Sequence, residues 1–505
     1  MKSIYSEISK IELLYIVFVL TLFIAVLLLG QSDIIALFAK IFLGILGGIT
    51  IIYFSLKKSL YGLFGLLFLF YFIPYSSPDY LTRIGEVSRF SLFSRFASTI
   101  CTWDILIFLF AGLVIIKKLI KGRLEFVGIK HKEIRIYIYI MIFAFLNGLM
   151  HIKGNYLSFG PTEFIRPVIV FLPFFYMIFM FLITVNVIES KKDLDKTYDY
   201  IWLLTIILIF YSIYRLIGIY TGKFDALMMF GLPMILYDQV VFLFYPIFLY
   251  ASLHFLKVDS GKKNLFVTFI LFLIILSSTR RLNYLILAGG FIITLFLVNK
   301  VKKIGFGVFV KILFSIIVIL CVIFSLFFIF LPDFTSGVYD SMRSIYFVSE
   351  YGMSHGGNIR KTEVENMFLN MNKRAYSYFI GYGLGTRYEA IKDVSFGRLD
   401  HGKKEIEKGS NWWPQFHLPY ISSIYLFGFF GFFIMIFIVL LFVKRSINYI
   451  RKMEDNKYYQ AQMIAIVSYL LLTVFFPSGS ANPTSMIFGG ILLGLHYSTN
   501  KYCLN

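Results

Sequence analysis

The sequence predicts an all-α membrane protein: a polytopic bundle of about fourteen transmembrane helices with one large, partly helical external loop. Three observations predict it. Of 505 residues, 59% are apolar and only 15% are charged, against roughly a quarter charged in soluble proteins. The apolar residues form unbroken runs, such as Leu13 to Leu29 and Ile312 to Leu331, and about 20 such residues cross a bilayer as a helix. Barrel strands would alternate in polarity instead. Finally, the basic residues fall into alternating loops, as the positive-inside rule requires.

In chain order the spans fall near 12–29, 34–55, 59–75, 103–116, 134–151, 167–187, 199–221, 238–256, 264–278, 283–299, 312–332, 417–443, 460–476 and 485–497. Residues 1–332 thus hold eleven spans, 333–416 form the external loop, and 417–505 hold the last three. The first run is long enough to span and lacks a small-residue cleavage site, so it reads as a transmembrane helix. With the N-terminus inside, inner loops carry about 27 basic residues and the short outer loops about 8. Both termini are then cytoplasmic. The formal charge of +20 is accounted for by these loops, and no nucleic-acid partner is expected. Cys101, Cys321 and Cys503 fall outside, mid-membrane and inside, so no pairing is expected.

The basic residue type differs by side. Inner loops hold roughly 23 Lys and 4 Arg. The outer ones hold Arg83, Arg89, Arg95, Arg166, Arg280 and Arg281 against Lys153 and Lys223. Arg215 lies within a span near its outer end. Topology needs no Arg, but a phosphate or carboxylate site does, because a guanidinium grips two oxygens at once. An anion site on the outer face is therefore expected. Walker loops, HExxH and paired-Cys patterns are missing from the sequence, so neither a metal nor a cofactor is expected. The spans hold few carboxylates, which counts against an ion-coupled transporter.

Within the long loop, Val364, Met367, Phe368, Met371, Ala375 and Phe379 recur at helical spacing, with Lys361, Glu363, Glu365, Asn370 and Lys373 on other faces. This predicts an amphipathic helix lying on the membrane surface or over a cavity. Arg360 opens it. Gly381, Gly383 and Gly385 then break it. His417 stands where the loop enters the twelfth span, and Gly428 and Gly431 follow at offsets of 11 and 14. On a continuous helix those offsets return to the histidine's face, and glycines there let another helix approach closely.

These features together resemble the O-antigen polymerase and O-antigen ligase superfamily of bacterial envelope polysaccharide synthesis. That family has a Ser-Arg pair in a short outer turn, similar to Thr279-Arg280 with Arg281 beside it. It has an Arg opening a helix in the large loop and a Gly-x-Gly-x-Gly-like segment, similar to Arg360 and Gly381 to Gly385. Its loop ends in a His followed by Gly-x-x-Gly, and His417 to Gly431 has that spacing. Leu418 stands where the family prefers Asn, Ser or Gln. The resemblance covers about residues 265–443. It implies a metal-independent, inverting membrane glycosyltransferase in the bacterial cytoplasmic membrane. The donor it implies is a polyprenyl-diphosphate-linked oligosaccharide used at the outer face. Arg280, Arg281 and Arg360 would stabilise the departing diphosphate, with Arg166 and Arg215 as further candidates. His417 would be the general base or would orient a phosphate oxygen. The expected partners are that lipid-linked donor, membrane lipids and a chain-length regulator. A repeat-unit polymerase is favoured, with a ligase as the alternative within the family. A lipid-linked oligosaccharide flippase is the alternative from another class.

Overall fold

The computed structural model describes residues 46–72, 95–97, 100–125, 131–151, 162–221, 228–229, 232–233, 240–258, 261–276, 281–302, 356–389, 391, 412–413, 419–475 and 483–503. These are nearly all helical. In order they form α1 (Leu46–Lys57), α2 (Ser59–Phe72), α3 (Thr102–Ile120), α4 (Lys132–Met150), α5 (Thr162–Val187), α6 (Lys191–Tyr220), α7 (Val241–Leu256), α8 (Gly261–Leu276) and α9 (Arg281–Lys302). They continue with α10 (Gly356–Asn372), α11 (Ser377–Ile380), α12 (Pro419–Lys452), α13 (Lys457–Thr473) and α14 (Pro483–Cys503). The strands are three two-stranded antiparallel scraps: β1 (Arg95–Ala97) with β2 (Ile100–Cys101), β3 (Met228–Met229) with β4 (Leu232–Pro233), and β5 (Tyr388–Glu389) with β6 (Trp412–Trp413).

Each of α1–α9 and α12–α14 lies over a span the sequence predicts; the predicted spans 12–29 and 312–332 lie outside the described residues. Among the described residues five helices are long and apolar enough to cross a membrane: α4, the 170–187 part of α5, α6, α9 and α12.

Helices that are apolar all round belong in the middle, and α7, α13 and α14 occupy it. Phe242, Phe244 and Phe248 of α7 are fully buried, as are Met463 to Val467 of α13 and Ile487 to Leu492 of α14. Gly490 and Gly494, one small residue every four, let α14 lie directly on α5: a methyl group on Gly494 would stand 2.5 Å from Thr184 Cβ. Small residues at this spacing do in lipid what hydrophobic burial cannot, because lipid is as apolar as the helices. Polar side chains add to the interhelical contacts. Thr294 and Ser468 share a 2.9 Å hydrogen bond, Ser446 and His496 one of 3.0 Å, and Tyr198 and Thr499 one of 2.6 Å. Outward-facing residues such as Tyr139, Ile142, Phe143 and Leu146 of α4 are large and apolar, as a lipid-facing surface requires.

One end of the bundle is laced by charge. Lys58 pairs with Asp193 at 2.6 Å, Lys118 with Glu189 at 2.7 Å, Lys501 with Glu125 at 2.8 Å, and Arg445 with Glu133. Tyr459 donates to Asp195, and Tyr502 to the Ile188 carbonyl at 3.0 Å. Lys118 holds the Glu189 carboxyl below its usual range. All these residues belong to the loops and helix ends that the charge rule assigns to the cytosol. We call this the inner end, and the other the outer end.

Candidate functional site

The outer end is built differently, by backbone against backbone. The segment from Ile380 to Thr386 is wedged between the last turn of α4 and the first two turns of α12. Tyr382 N–H donates to the Tyr425 carbonyl at 2.8 Å and Gly383 N–H to the Leu426 carbonyl at 2.9 Å. On its other side Leu384 N–H donates to the Ala144 carbonyl at 2.8 Å. Asn147, fully buried, gives its amide to the Ile380 and Gly381 carbonyls, both at 3.1 Å. Thr386 closes the loop on Gly383 O at 2.8 Å.

Three glycines make this packing possible. Gly428 breaks α12, with φ +68° and ψ 175° inside an otherwise helical run. Gly381 lies against that break: a methyl group on it would stand 2.5 Å from both Gly428 N and the Leu426 carbonyl. Gly383, at φ +86°, touches the backbone of Gly148, and a methyl there would come within 2.6 Å of Asn147 C. Side chains other than glycine's meet both a steric barrier at such φ and a wall of main chain. Gly385 also has positive φ, +81°.

The glycine stripe expected on α12 is therefore corrected. The helix is not continuous across Gly428, so the helical phase from Gly428 to Gly431 is interrupted. What approaches Gly428 is the short helix α11 and the start of the glycine loop: a methyl group on Gly428 would collide with the Phe379 carbonyl oxygen and stand 2.6 Å from Gly381 N. Gly431 faces Phe427 of its own helix, at 2.6 Å from a methyl group placed on it. The amphipathic helix is corrected too. It ends at Asn372, a turn follows, and α11 covers Ser377–Ile380. Its buried face carries Glu363, Asn366 and Asn370 beside Met367 and Met371, while Phe368 and Phe379 are exposed. Of these, Asn370 is buried because it serves the segment that follows the loop. Asn370 donates to the Glu389 carbonyl at 2.7 Å and accepts from Glu389 N–H at 3.1 Å.

Sequence reasoning missed His151, which sits just past α4 in this site. Its Nδ1 is 2.8 Å from the Asn147 carbonyl and its Nε2 3.2 Å from the Tyr376 hydroxyl. A carbonyl can only accept, so Nδ1 carries the proton, and in the neutral ring Nε2 holds the lone pair. Burial holds the ring below the usual histidine range, and the Arg374 guanidinium adds to this. Arg374 also reaches the Tyr376 hydroxyl at 3.3 Å. Tyr382 stacks on Tyr425 at 4.8 Å and donates to the Asn370 carbonyl at 2.6 Å. A basic nitrogen, a guanidinium and two phenols thus meet at the rim of the glycine loop. The signal was thin: a histidine ending a span means little until residues 380–386 are folded against it.

Of the residues the sequence nominated, His417 and Arg280 lie outside the described residues. Arg281 is the first residue of α9, Arg360 lies in α10 and Arg166 in the first turns of α5. Both α9 and α10 pack on α12, the helix that follows His417. Arg215 is buried near the outer end of α6, whose main neighbours are α2 and α14. Neither a protein-family model nor a curated protein matches this chain.

Proposed function

We propose that this chain is a membrane glycosyltransferase, a polysaccharide polymerase that uses polyprenyl-diphosphate-linked oligosaccharide at the outer face of a bacterial cytoplasmic membrane. The observation that carries the reading is the glycine loop lodged in the break of α12. The two glycine motifs on which the resemblance rests, far apart in sequence, pack against each other, and α10 packs on both α11 and α12. A main-chain junction of this kind orients a helix end, and oriented groups are what a site for charged chemistry requires.

In the reaction an acceptor hydroxyl attacks the anomeric carbon of the donor as the carbon–oxygen bond to the diphosphate breaks. His417 takes the hydroxyl proton, and the diphosphate leaves with the bonding pair. Arg280, Arg281 and Arg360 bear the growing negative charge. Attack opposite the leaving group inverts the anomeric centre.

The test is elongation of a lipid-diphosphate oligosaccharide by the purified chain in liposomes. Longer polymer from the wild type, and a loss of at least about 100-fold in His417→Ala and Arg280→Ala, are expected. Full activity in both variants would overturn the site. Movement of donor across the bilayer without elongation would make the chain a flippase. In cells, single repeat units left on the acceptor after gene deletion mark a polymerase, and loss of all attached polymer marks a ligase.

A further inference from the structure

Along α12, the strongly exposed side chains from the middle of the helix to its end form one stripe. Phe430, Phe433, Phe437 and Leu440 come first, each more than half exposed. Lys444, Asn448, Arg451 and Lys452 follow on the same face. The spacing of three and four residues keeps them on one side of the helix. The change from hydrocarbon to cation takes a single turn, about 6 Å. A helix face that changes character this abruptly matches the step from acyl chains to headgroups.

At the step lies an open groove of about 550 Å³, lined by Lys444, Arg445, Asn448, Tyr449, Arg451 and Lys452. Among the described residues no carboxylate lines it. Arg445 is engaged by Glu133, and Arg451 reaches the Lys300 carbonyl at 3.4 Å through two of its nitrogens. Lys444 and Lys452 keep the groove cationic beyond those contacts. Glu454 and Asp455 belong to the turn after it. Tyr449 and Asn448 add neutral groups able to bond phosphate or glycerol oxygens.

We infer that this groove is a binding site for an anionic phospholipid of the inner leaflet. The phosphate rests among Lys444, Arg451 and Lys452, and an acyl chain lies along Leu440 and Phe437. The site is at the opposite end of the bundle from the glycine loop, so it stands or falls independently of the proposed transferase chemistry. Charge complementarity and the continuous apolar stripe together select a lipid over a free anion, since a soluble phosphate has no use for Phe437 and Leu440.

The experiment is lipid binding to the full-length purified chain, read by native mass spectrometry and by thermal stabilisation in nanodiscs. Phosphatidylglycerol is compared with phosphatidylcholine, and millimolar inorganic phosphate serves as the free-anion probe. Phosphatidylglycerol should bind preferentially, and inorganic phosphate should not displace it. Lys444→Gln alone should weaken binding about fivefold, and the triple change K444Q/R451Q/K452Q on the order of 100-fold, at about 1 kcal/mol for each basic group near an anionic surface. K444R/K452R should keep the affinity. Equal binding of the two lipids, an unchanged affinity in Lys444→Gln, or displacement by inorganic phosphate would each overturn the assignment.

Discussion

The two ends of the bundle are held by opposite means. At the inner end side chains reach across and pair: Lys58 with Asp193, Lys118 with Glu189, Arg445 with Glu133. At the outer end main chain meets main chain, with Tyr382, Gly383 and Leu384 bonded directly to the backbone of α12 and α4. Long charged side chains adjust, and water shares their load, so most such pairs contribute little each. A backbone junction has no slack. The end that tolerates no displacement is the end to which the sequence motifs of the proposed chemistry belong.

This contrast is broken most severely at Gly383. Alanine there must hold φ near +86° and push the Asn147–Gly148 backbone away. We expect Gly383→Ala to cost more than about 3 kcal/mol, seen as a sharp loss of thermal stability in detergent and exposure of the 376–389 segment to protease. Gly112→Ala is the control. Nothing lies within 4 Å of a methyl group on Gly112, inside α3, and the change should stabilise by about 0.5–1 kcal/mol. A tolerated Gly383→Ala would mean that the loop does not sit on α4.

At the inner end the strongest single effect should come from Glu133, only 3% exposed. It is held by Arg445, and the Tyr497 hydroxyl lies 3.2 Å away. Arg445→Ala leaves a buried carboxylate without its cation and should cost about 3 kcal/mol, the low end of the range because Arg445 is itself partly exposed. The double variant E133Q/R445Q should recover most of that loss. Failure to recover would mean that Arg445 acts through packing rather than charge.

A smaller effect is expected of Asn147→Ala. It removes two hydrogen bonds to the glycine loop, at about 1 kcal/mol each, and leaves the main-chain bonds in place. Thermal unfolding should register roughly 2 kcal/mol, well short of Gly383→Ala. Parity between the two variants would shift the weight of the junction from backbone contact to this one amide.

Most of the helices were legible in the sequence because each run carries its own signal. Hydrocarbon must be crossed by apolar helix, and the runs at 134–151 and 417–443 could only be that. The grouping of inner loops was legible as well, since Lys residues mark them one by one. The site was legible in part. Gly381, Gly383 and Gly428 were marked as special, but their partnership was not, because no local pattern tells one glycine which distant backbone it will touch. The burial of Glu363 and Asn370 ran against periodicity for the same reason. Asn370 is inside to satisfy the Glu389 backbone, a demand that exists only after the loop has folded. His151 was invisible because its surroundings are assembled from two distant stretches of chain, Asn147 on its own helix and Tyr376 and Tyr382 on the segment after α10.

His151 also supplies the finest test of the contrast, through pH. In the folded chain its ring is half-buried, Nδ1 donates to the Asn147 carbonyl, Tyr376 and Tyr382 flank it, and the Arg374 guanidinium acts on it. Burial, followed by Arg374 among the lowering influences, depresses its proton affinity below the ordinary value near 6.5. The unfolded chain therefore takes up this proton at a pH where the folded chain still refuses it. Stability should be complete above about pH 6.5 and should fall as pH drops through the depressed folded value. His131 at the inner end is depressed as well, by burial and by Arg445, so the wild-type profile alone mixes the two ends. The comparison that separates them is His151→Gln, which keeps a hydrogen-bonding side chain and cannot titrate. Between pH 7.5 and 5 the wild type should lose more thermal stability than His151→Gln, and the difference is the outer end's share. Identical slopes would place the whole acid sensitivity at the inner end, and would mean that the histidine beside the glycine loop is solvated enough to titrate as it does in the unfolded chain.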